Sequence, residues 1–135
     1  MSSIETLDKE DLSLLITKNG ECIFSAKEGG ITPLINAIED VGKRRLAGSS
    51  VTDRVVGKAA ALLMAYCRVK EVKAKLLSEK AVLRLKKSSI PYHYRELVDE
   101  IKTRDQTGTC IFELTVAETE DPQEAYRELR AKVQH

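Results

Sequence analysis

A long apolar stretch limits the folds open to this chain. From Asp53 to Cys67, alanine, valine, leucine and methionine would occupy nearly every side of a helix. A helix that is apolar all round has to be enclosed by other elements, and Thr52 or Asp53 could cap its first turn. Gly57 costs about 1 kcal/mol inside a helix, which predicts the close approach of a backbone segment or of a ligand. The stretch therefore predicts a buried central helix.

A hairpin is predicted before this helix. Two apolar runs, Leu12–Thr17 and Glu21–Ser25, flank the dipeptide Asn19-Gly20. Both residues accept the positive φ angles of a tight hairpin turn, so the runs are expected to be paired antiparallel strands. Residues 1–10 are polar and acidic and predict a short helix or a frayed lead.

The remaining segments alternate between helical and strand patterns. They comprise a helix capped by Thr32 and Pro33 and ending at Gly42, a polar surface loop from Gly42 to Thr52, a strand from Val69 to Leu77, a helix capped by Ser78 and ending near Lys87, a strand from Ile90 to Arg95, and a last helix capped by Asp121-Pro122. This order favours one α/β domain over residues 1–135, with helices on the faces of a mixed sheet.

Charge, hydropathy and cysteine content limit the classes of partner and the cellular setting that we expect. The 22 basic residues nearly cancel the 21 acidic ones, which argues against nucleic acid. No apolar run is long enough to span a membrane, and we expect a cytoplasmic protein. Cys22, Cys67 and Cys110 are few and widely spaced, so all three are expected to be reduced thiols.

Several enzyme classes lack their motifs. The histidines are His93, within a strand pattern, and the terminal His135, so no converging metal ligands are evident and no metal or cofactor is expected. No serine stands in a nucleophile elbow. Gly29-Gly30 lacks the spacing of a phosphate-binding loop.

Cys110 is the most suggestive candidate for chemistry. It follows Arg104 and the turn residues Thr107, Gly108 and Thr109, and it precedes a short stretch that could begin a helix. A thiol at a helix start beside an arginine would be activated, and an anion could bind there. The alternative is a small apolar residue buried after a turn.

Lys58 is unusual because it interrupts the apolar helix. It stands between Gly57 and Ala59. Such a lysine either extends its ammonium group to solvent or pairs with an acid such as Glu79. Asp53 has the simpler interpretation of a helix cap.

Three segments carry a resemblance to a known family: Ser50–Ala61, Leu77–Ala81 and Thr107–Cys110. They resemble the domain of unknown function 1893 family of small prokaryotic proteins, which is grouped with the cytidine deaminase-like fold. The resemblance implies a three-layer α/β/α mixed sheet in which two helix starts face one pocket. The family tends to have a proline after the cysteine, where this chain has Ile111.

The same resemblance bears on the chemistry. In true deaminases the two helix starts carry a His-Ala-Glu motif and a Pro-Cys-x-x-Cys motif that hold and use zinc. This chain offers Asp53 to Lys58 at the first and Ser78 with Glu79 at the second. It is therefore not expected to be a zinc-dependent deaminase, and whether it is an enzyme stays open.

Three functions remain open. The first is binding of a small anionic or nucleotide-like metabolite in a zinc-free pocket. Its expected lining is Ser50, Asp53, Lys58, Ser78, Glu79, Arg104, Thr107, Gly108, Thr109 and Cys110. The second is an enzyme with Cys110 as nucleophile or group carrier. The third is a structural or interaction module, with a homodimer as one possibility.

Overall fold

The computed structural model of the chain describes residues 2–102 and 110–133. The strands are β1 (Leu14–Lys18), β2 (Glu21–Ala26), β3 (Ser50–Val56), β4 (Glu71–Ser78) and β5 (Tyr92–Val98). The helices are α1 (Ser3–Glu10), α2 (Thr32–Asp40), α3 (Lys43–Leu46), α4 (Lys58–Cys67), α5 (Glu79–Lys87), α6 (Ile111–Thr115) and α7 (Pro122–Val133).

The strands form one mixed sheet in the order β2-β1-β3-β4-β5. β1 pairs antiparallel with β2 and β3, whereas β3, β4 and β5 run parallel. The α4 and α5 segments make the crossovers that parallel strands require. The predicted mixed α/β architecture is confirmed.

The hairpin is confirmed at its turn. Asn19 and Gly20 have φ angles of 53° and 82°, the positive values that a two-residue turn of this kind needs. The ladder runs from Leu14 opposite Ala26 to Lys18 opposite Glu21, with a register shift after Ile16.

The segment before α4 differs from the prediction. Ser50–Val56 is the central strand β3, so the predicted surface loop and the predicted helical start at Asp53 are both wrong. The four-residue helix α3 occupies another part of that loop. β-branched residues of β3 are paired on both sides, and this tertiary pairing overrides the local capping signal of Asp53. Helix α4 begins only at Lys58, with Gly57 as its N-cap.

Successive side chains of β3 point to opposite faces of the sheet, and helices pack on both faces. Arg54 points to the face covered by α1, where its side chain donates to the carbonyls of Leu7 and Leu12 at 3.1 and 2.7 Å. Asp53 and Val55 point to the opposite face and, with α2, α4 and α6, enclose a cavity. α4 is buried along nearly its whole length and contacts α5 and α7.

Two predicted helix caps are confirmed. The Ser78 hydroxyl accepts from the Ala81 amide at 3.1 Å, and the Asp121 carboxylate accepts from the Glu124 amide at 3.1 Å. At α2 the cap lies one residue earlier than predicted, at Ile31. None of the helices described here has the length and apolar character needed to cross a membrane.

Lys58 is paired, but with a different acid from the one predicted. Its ammonium group donates to Glu120 Oε2 at 2.7 Å and to the Ala117 carbonyl at 3.1 Å. Glu120 Oε1 also accepts a hydrogen bond from the Lys87 ammonium group at 2.9 Å. These contacts direct the lysine toward the turn before α7, and Glu79 is not its partner.

Replacing Glu120 by glutamine is expected to lower the free energy of unfolding by about 1 kcal/mol at pH 7, because the half-exposed carboxylate balances a buried ammonium group. Lys58 and Lys87 lower the pKa of Glu120 to about 2. This contribution is present above the ordinary carboxyl pKa and is lost as pH falls toward 2. Urea denaturation at pH 7 and pH 2 measures it, with exposed Glu118→Gln as control. A difference between wild type and Glu120→Gln that persists at pH 2 would contradict it.

Candidate functional site

One cavity lies where the end of β3 meets the start of α4. Its volume is about 180 Å³. Most of the wall formed by residues 2–102 and 110–133 is apolar, and four of these residues contribute polar side chains. The apolar part comprises Ile31, Leu34, Val55, Ala59, Ala60, Ile101 and Phe112, and the polar part comprises Ser13, Asp53, Cys110 and Glu113.

Asp53 is the most perturbed group of the cavity. It is only 8% exposed, and burial raises the pKa of its carboxyl to about 7, although the backbone amides of Arg54 and Val55 oppose the shift. The Arg54 guanidinium cannot neutralise it, because that side chain is held on the other face of the sheet beside Asp8. Asp53 therefore changes charge near neutral pH.

Glu113 closes the cavity beside the start of α4. Its two carboxylate oxygens accept from the Lys58 and Ala59 amides, each at 2.8 Å. A carboxylate at this position satisfies amides that have no partner inside the helix and also complements the helix dipole. Glu113 thus does the work of an N-cap that Gly57 cannot supply.

Gly57 makes room for this contact. A Cβ atom placed on Gly57 would lie 2.5 Å from Glu113 Oε1 and 2.7 Å from the Ile101 side chain. A close approach does occur at Gly57, but it is made by the side chains of Glu113 and Ile101 and not by the backbone or ligand that was expected, and it lies at the helix start and not inside the helix. The absent side chain lets α6 dock on α4.

Cys110 lines the same cavity at the start of α6. It is half-buried and unpaired, and its amide donates to the Ile101 carbonyl at 3.2 Å. The predicted helix after the cysteine is confirmed, but it contains five residues only, so its dipole is small. Cys67 lies outside the cavity, and burial raises the pKa of its thiol to about 12.

The structure brings together two of the predicted site residues, Asp53 and Cys110. Ser50 lies at the far end of β3 and donates to Glu71 at 2.6 Å. Ser78 is fully buried as the cap of α5, and Glu79 is exposed on that helix. Neither these residues nor Lys58 line the cavity. Arg104, Thr107, Gly108 and Thr109 lie outside the described residues.

Sequence reasoning missed Glu113, Phe112 and Ser13. Glu113 acts on amides more than fifty residues away, and no local pattern marks such a contact. Ser13 donates to the carbonyls of Ala26 and Glu28 and so shapes the wall beside Gly29. The unusual glycine at position 57 was the one available signal, since it predicted a close neighbour without naming it.

Metal-binding side chains do not cluster within residues 2–102 and 110–133. His93 is exposed on β5, away from the cavity lining.

Comparison with known proteins places the chain in a family. Residues 2–133 match the model of a family described as Domain of unknown function (DUF1893). The chain belongs to this family. A DUF1893 family protein from Thermotoga maritima, known from a crystal structure, is 31% identical with a TM-score of 0.87, and the alignment covers 96% of this chain and 86% of that one. A search of curated proteins found no match.

Gly57→Ala is expected to lower the free energy of unfolding by about 1–3 kcal/mol, because the new methyl group must displace a carboxylate held by two amides. Gly29→Ala is the matched control, since a Cβ atom there meets nothing within 4 Å. The cost of Gly57→Ala should shrink in a Glu113→Ala background if the carboxylate is its cause. Equal losses for the two glycine variants would show that the contact is unimportant.

Asp53→Asn is expected to stabilise the protein more at pH 7 and 8 than at pH 5. The Asp53 carboxyl has a pKa of about 4 in the unfolded chain and of about 7 in the folded protein, so the stability linked to its protonation falls between these two values and is fully lost above pH 7. The variant avoids that loss, which is at most about 4 kcal/mol. Denaturation at pH 5, 6, 7 and 8 gives the two curves. Parallel curves would mean that Asp53 does not titrate in this range.

Proposed function

We propose that this protein binds a small, flat molecule in the Asp53 cavity through a nitrogen that is positively charged or donates hydrogen bonds. The observation that carries the proposal is the Asp53 carboxyl, which is buried in an apolar wall and whose charge, among the described residues, is stabilised by the backbone amides of Arg54 and Val55. An uncompensated buried carboxylate costs stability, and a ligand that supplies the missing charge or donors offsets this cost.

The polarity of the wall favours this ligand over an anion. Asp53 and Glu113 both carry carboxyl groups, and Arg54, the cation in the described lining, directs its guanidinium to α1. A carboxylate or phosphate group would meet like charge here. We therefore propose a basic or neutral ligand in place of the anionic one expected from the sequence.

Size and shape limit the ligand further. A cavity of about 150 Å³ accommodates benzene, so the present one suits a single ring with a short polar group. Phe112 supplies an aromatic wall and the alanines of α4 a flat one. The amino edge of a nucleobase has the matching chemistry, because carboxylates accept from exocyclic amino groups. This is the part of the nucleotide-like expectation that we retain.

We further infer kinship with the cytidine deaminase-like fold without its zinc chemistry. Two features support this: a mixed sheet with an antiparallel hairpin, and the helices α4 and α5 directly after parallel strands. These helices begin with Gly57 and Lys58 and with Ser78 and Glu79, none of which is a histidine or cysteine. The three free thiols suit a reducing, cytoplasmic setting.

A second candidate function is favoured by Cys110, which shares the cavity with Asp53. A half-buried thiol beside a carboxyl that titrates near neutrality could act as a nucleophile toward the bound molecule. Such a function predicts a covalent adduct, which intact-protein mass spectrometry detects after incubation, whereas simple binding leaves the mass unchanged.

Benzamidine, benzamide and benzoate test the proposal because they share a shape and differ in charge. At pH 8 benzamidine is expected to raise Tm most, benzamide less, and benzoate not at all. Saturation at a hundred times the dissociation constant corresponds to about 2.7 kcal/mol of added stability. Asp53→Asn should remove the benzamidine shift, because it removes the charge that the cation needs.

Glu79→Gln serves as the control, since Glu79 is an exposed acid outside the cavity and its loss should leave the shift unchanged. Protection by benzoate equal to that by benzamidine, or a full shift in Asp53→Asn, would overturn the proposal.

A further inference from the structure

β5 forms one edge of the sheet. Among residues 2–102 and 110–133 its ladder partner is β4 alone, at a constant register from Val72 opposite Tyr92 to Ser78 opposite Val98. Five of its seven residues are exposed and the two at its ends are half-buried. The opposite edge, β2, carries a register shift, a device that discourages pairing, whereas the β5 ladder is regular and contains no proline.

The side chains of β5 divide between the two faces of the sheet. Tyr92 and Tyr94 share one face, with their rings stacked at 6.4 Å, and Tyr94 is 46% exposed. Arg95 lies on the other face and contacts Asp8 of α1 at 3.3 Å. The edge therefore offers an aromatic row on one face and the positively charged Arg95 on the other.

We propose that β5 pairs antiparallel with β5 of a second copy of this chain, about a two-fold axis at Tyr94. A two-fold axis perpendicular to a sheet sets one residue opposite itself and pairs the others symmetrically around it. Centred on Tyr94, it sets Tyr92 opposite the partner's Glu96 and His93 opposite the partner's Arg95. The sheets of the two copies then become continuous.

Charge selects this register among the neighbouring ones. An axis at Arg95 would oppose two arginines and an axis at Glu96 two glutamates, and like charges directly opposite are destabilising. An axis at His93 would keep only residues 92–94 of the strand in the ladder, whereas an axis at Tyr94 keeps residues 92–96. Tyr94 at the axis instead gives a cross-strand aromatic pair, one of the more favourable combinations.

This self-complementarity is the reason for choosing a second copy over a foreign peptide. The phenol of Tyr92 can donate to the facing carboxylate of Glu96. His93 faces the partner's Arg95, whose guanidinium is drawn toward Asp8 on the α1 side of the sheet. A single strand buries a modest area, so the dimer is expected to depend on concentration.

Sedimentation velocity over a range of concentrations tests the dimer. The wild type should shift from monomer to dimer as concentration rises. Tyr94→Asp sets two carboxylates against each other at the axis and should raise the dissociation constant more than about tenfold. Leu83→Asp is the matched control, because Leu83 is also a large, exposed hydrophobic residue (61%) but lies on α5. The Leu83→Asp variant should dimerise as the wild type does.

A cross-linking experiment tests the register and does not depend on the folding of Tyr94→Asp. In a Cys22→Ser background, Tyr94→Cys should form an intermolecular disulfide on mild oxidation, because the two Cβ atoms would lie about 5 Å apart. Leu97→Cys would face the partner's Pro91 and should cross-link no more than the Cys22→Ser parent. A wild type that stays monomeric, unchanged dimerisation of Tyr94→Asp, or equal cross-linking through positions 94 and 97 would each overturn the proposal.

Discussion

The start of helix α4 imposes the constraint on which the rest of this structure depends. α4 is buried along nearly its whole length, and its first amides have no partner inside the helix. Gly57 provides no side chain to cap them. The Glu113 carboxylate, more than fifty residues away in the sequence, accepts from the amides of Lys58 and Ala59 instead. One ion-to-amide contact therefore fixes α6 on α4, and it forms one wall of the cavity.

The cavity is a consequence of how that contact is made. A residue larger than glycine at position 57 would push α6 outward, while a local cap would leave Glu113 and Phe112 free to move away. As built, the helix start presents small residues, and α6 covers them without filling the space next to Asp53. Asp53 therefore stays in an apolar wall, where burial of its carboxyl lowers the stability of the fold. A buried carboxyl with a strongly raised pKa beside a cavity is typical of functional sites.

Sequence reasoning correctly predicted the elements whose conformation is determined by residues close together in the sequence. Asn19-Gly20 specifies its turn through backbone angles, and Ser78 and Asp121 cap helices three residues away. Asp53 was misassigned because an acid before an apolar run resembles a cap, whereas its place in the central strand depends on pairing with β1 and β4. Glu113 and the pairing of Lys58 with Glu120 join segments separated by more than fifty residues, and no local pattern encodes such contacts.

Ionisation of Asp53 affects both the stability of the protein and its affinity for the proposed ligand. As pH rises from about 4 toward 7, the raised pKa of the Asp53 carboxyl makes the unliganded fold less stable. The same ionisation strengthens the attraction for a positively charged group in the cavity. Stability and affinity therefore change in opposite directions over the same pH range, so a basic ligand contributes most where the protein alone is least stable. A neutral ligand that only donates hydrogen bonds would show a smaller dependence, because the carboxyl oxygen accepts in either protonation state.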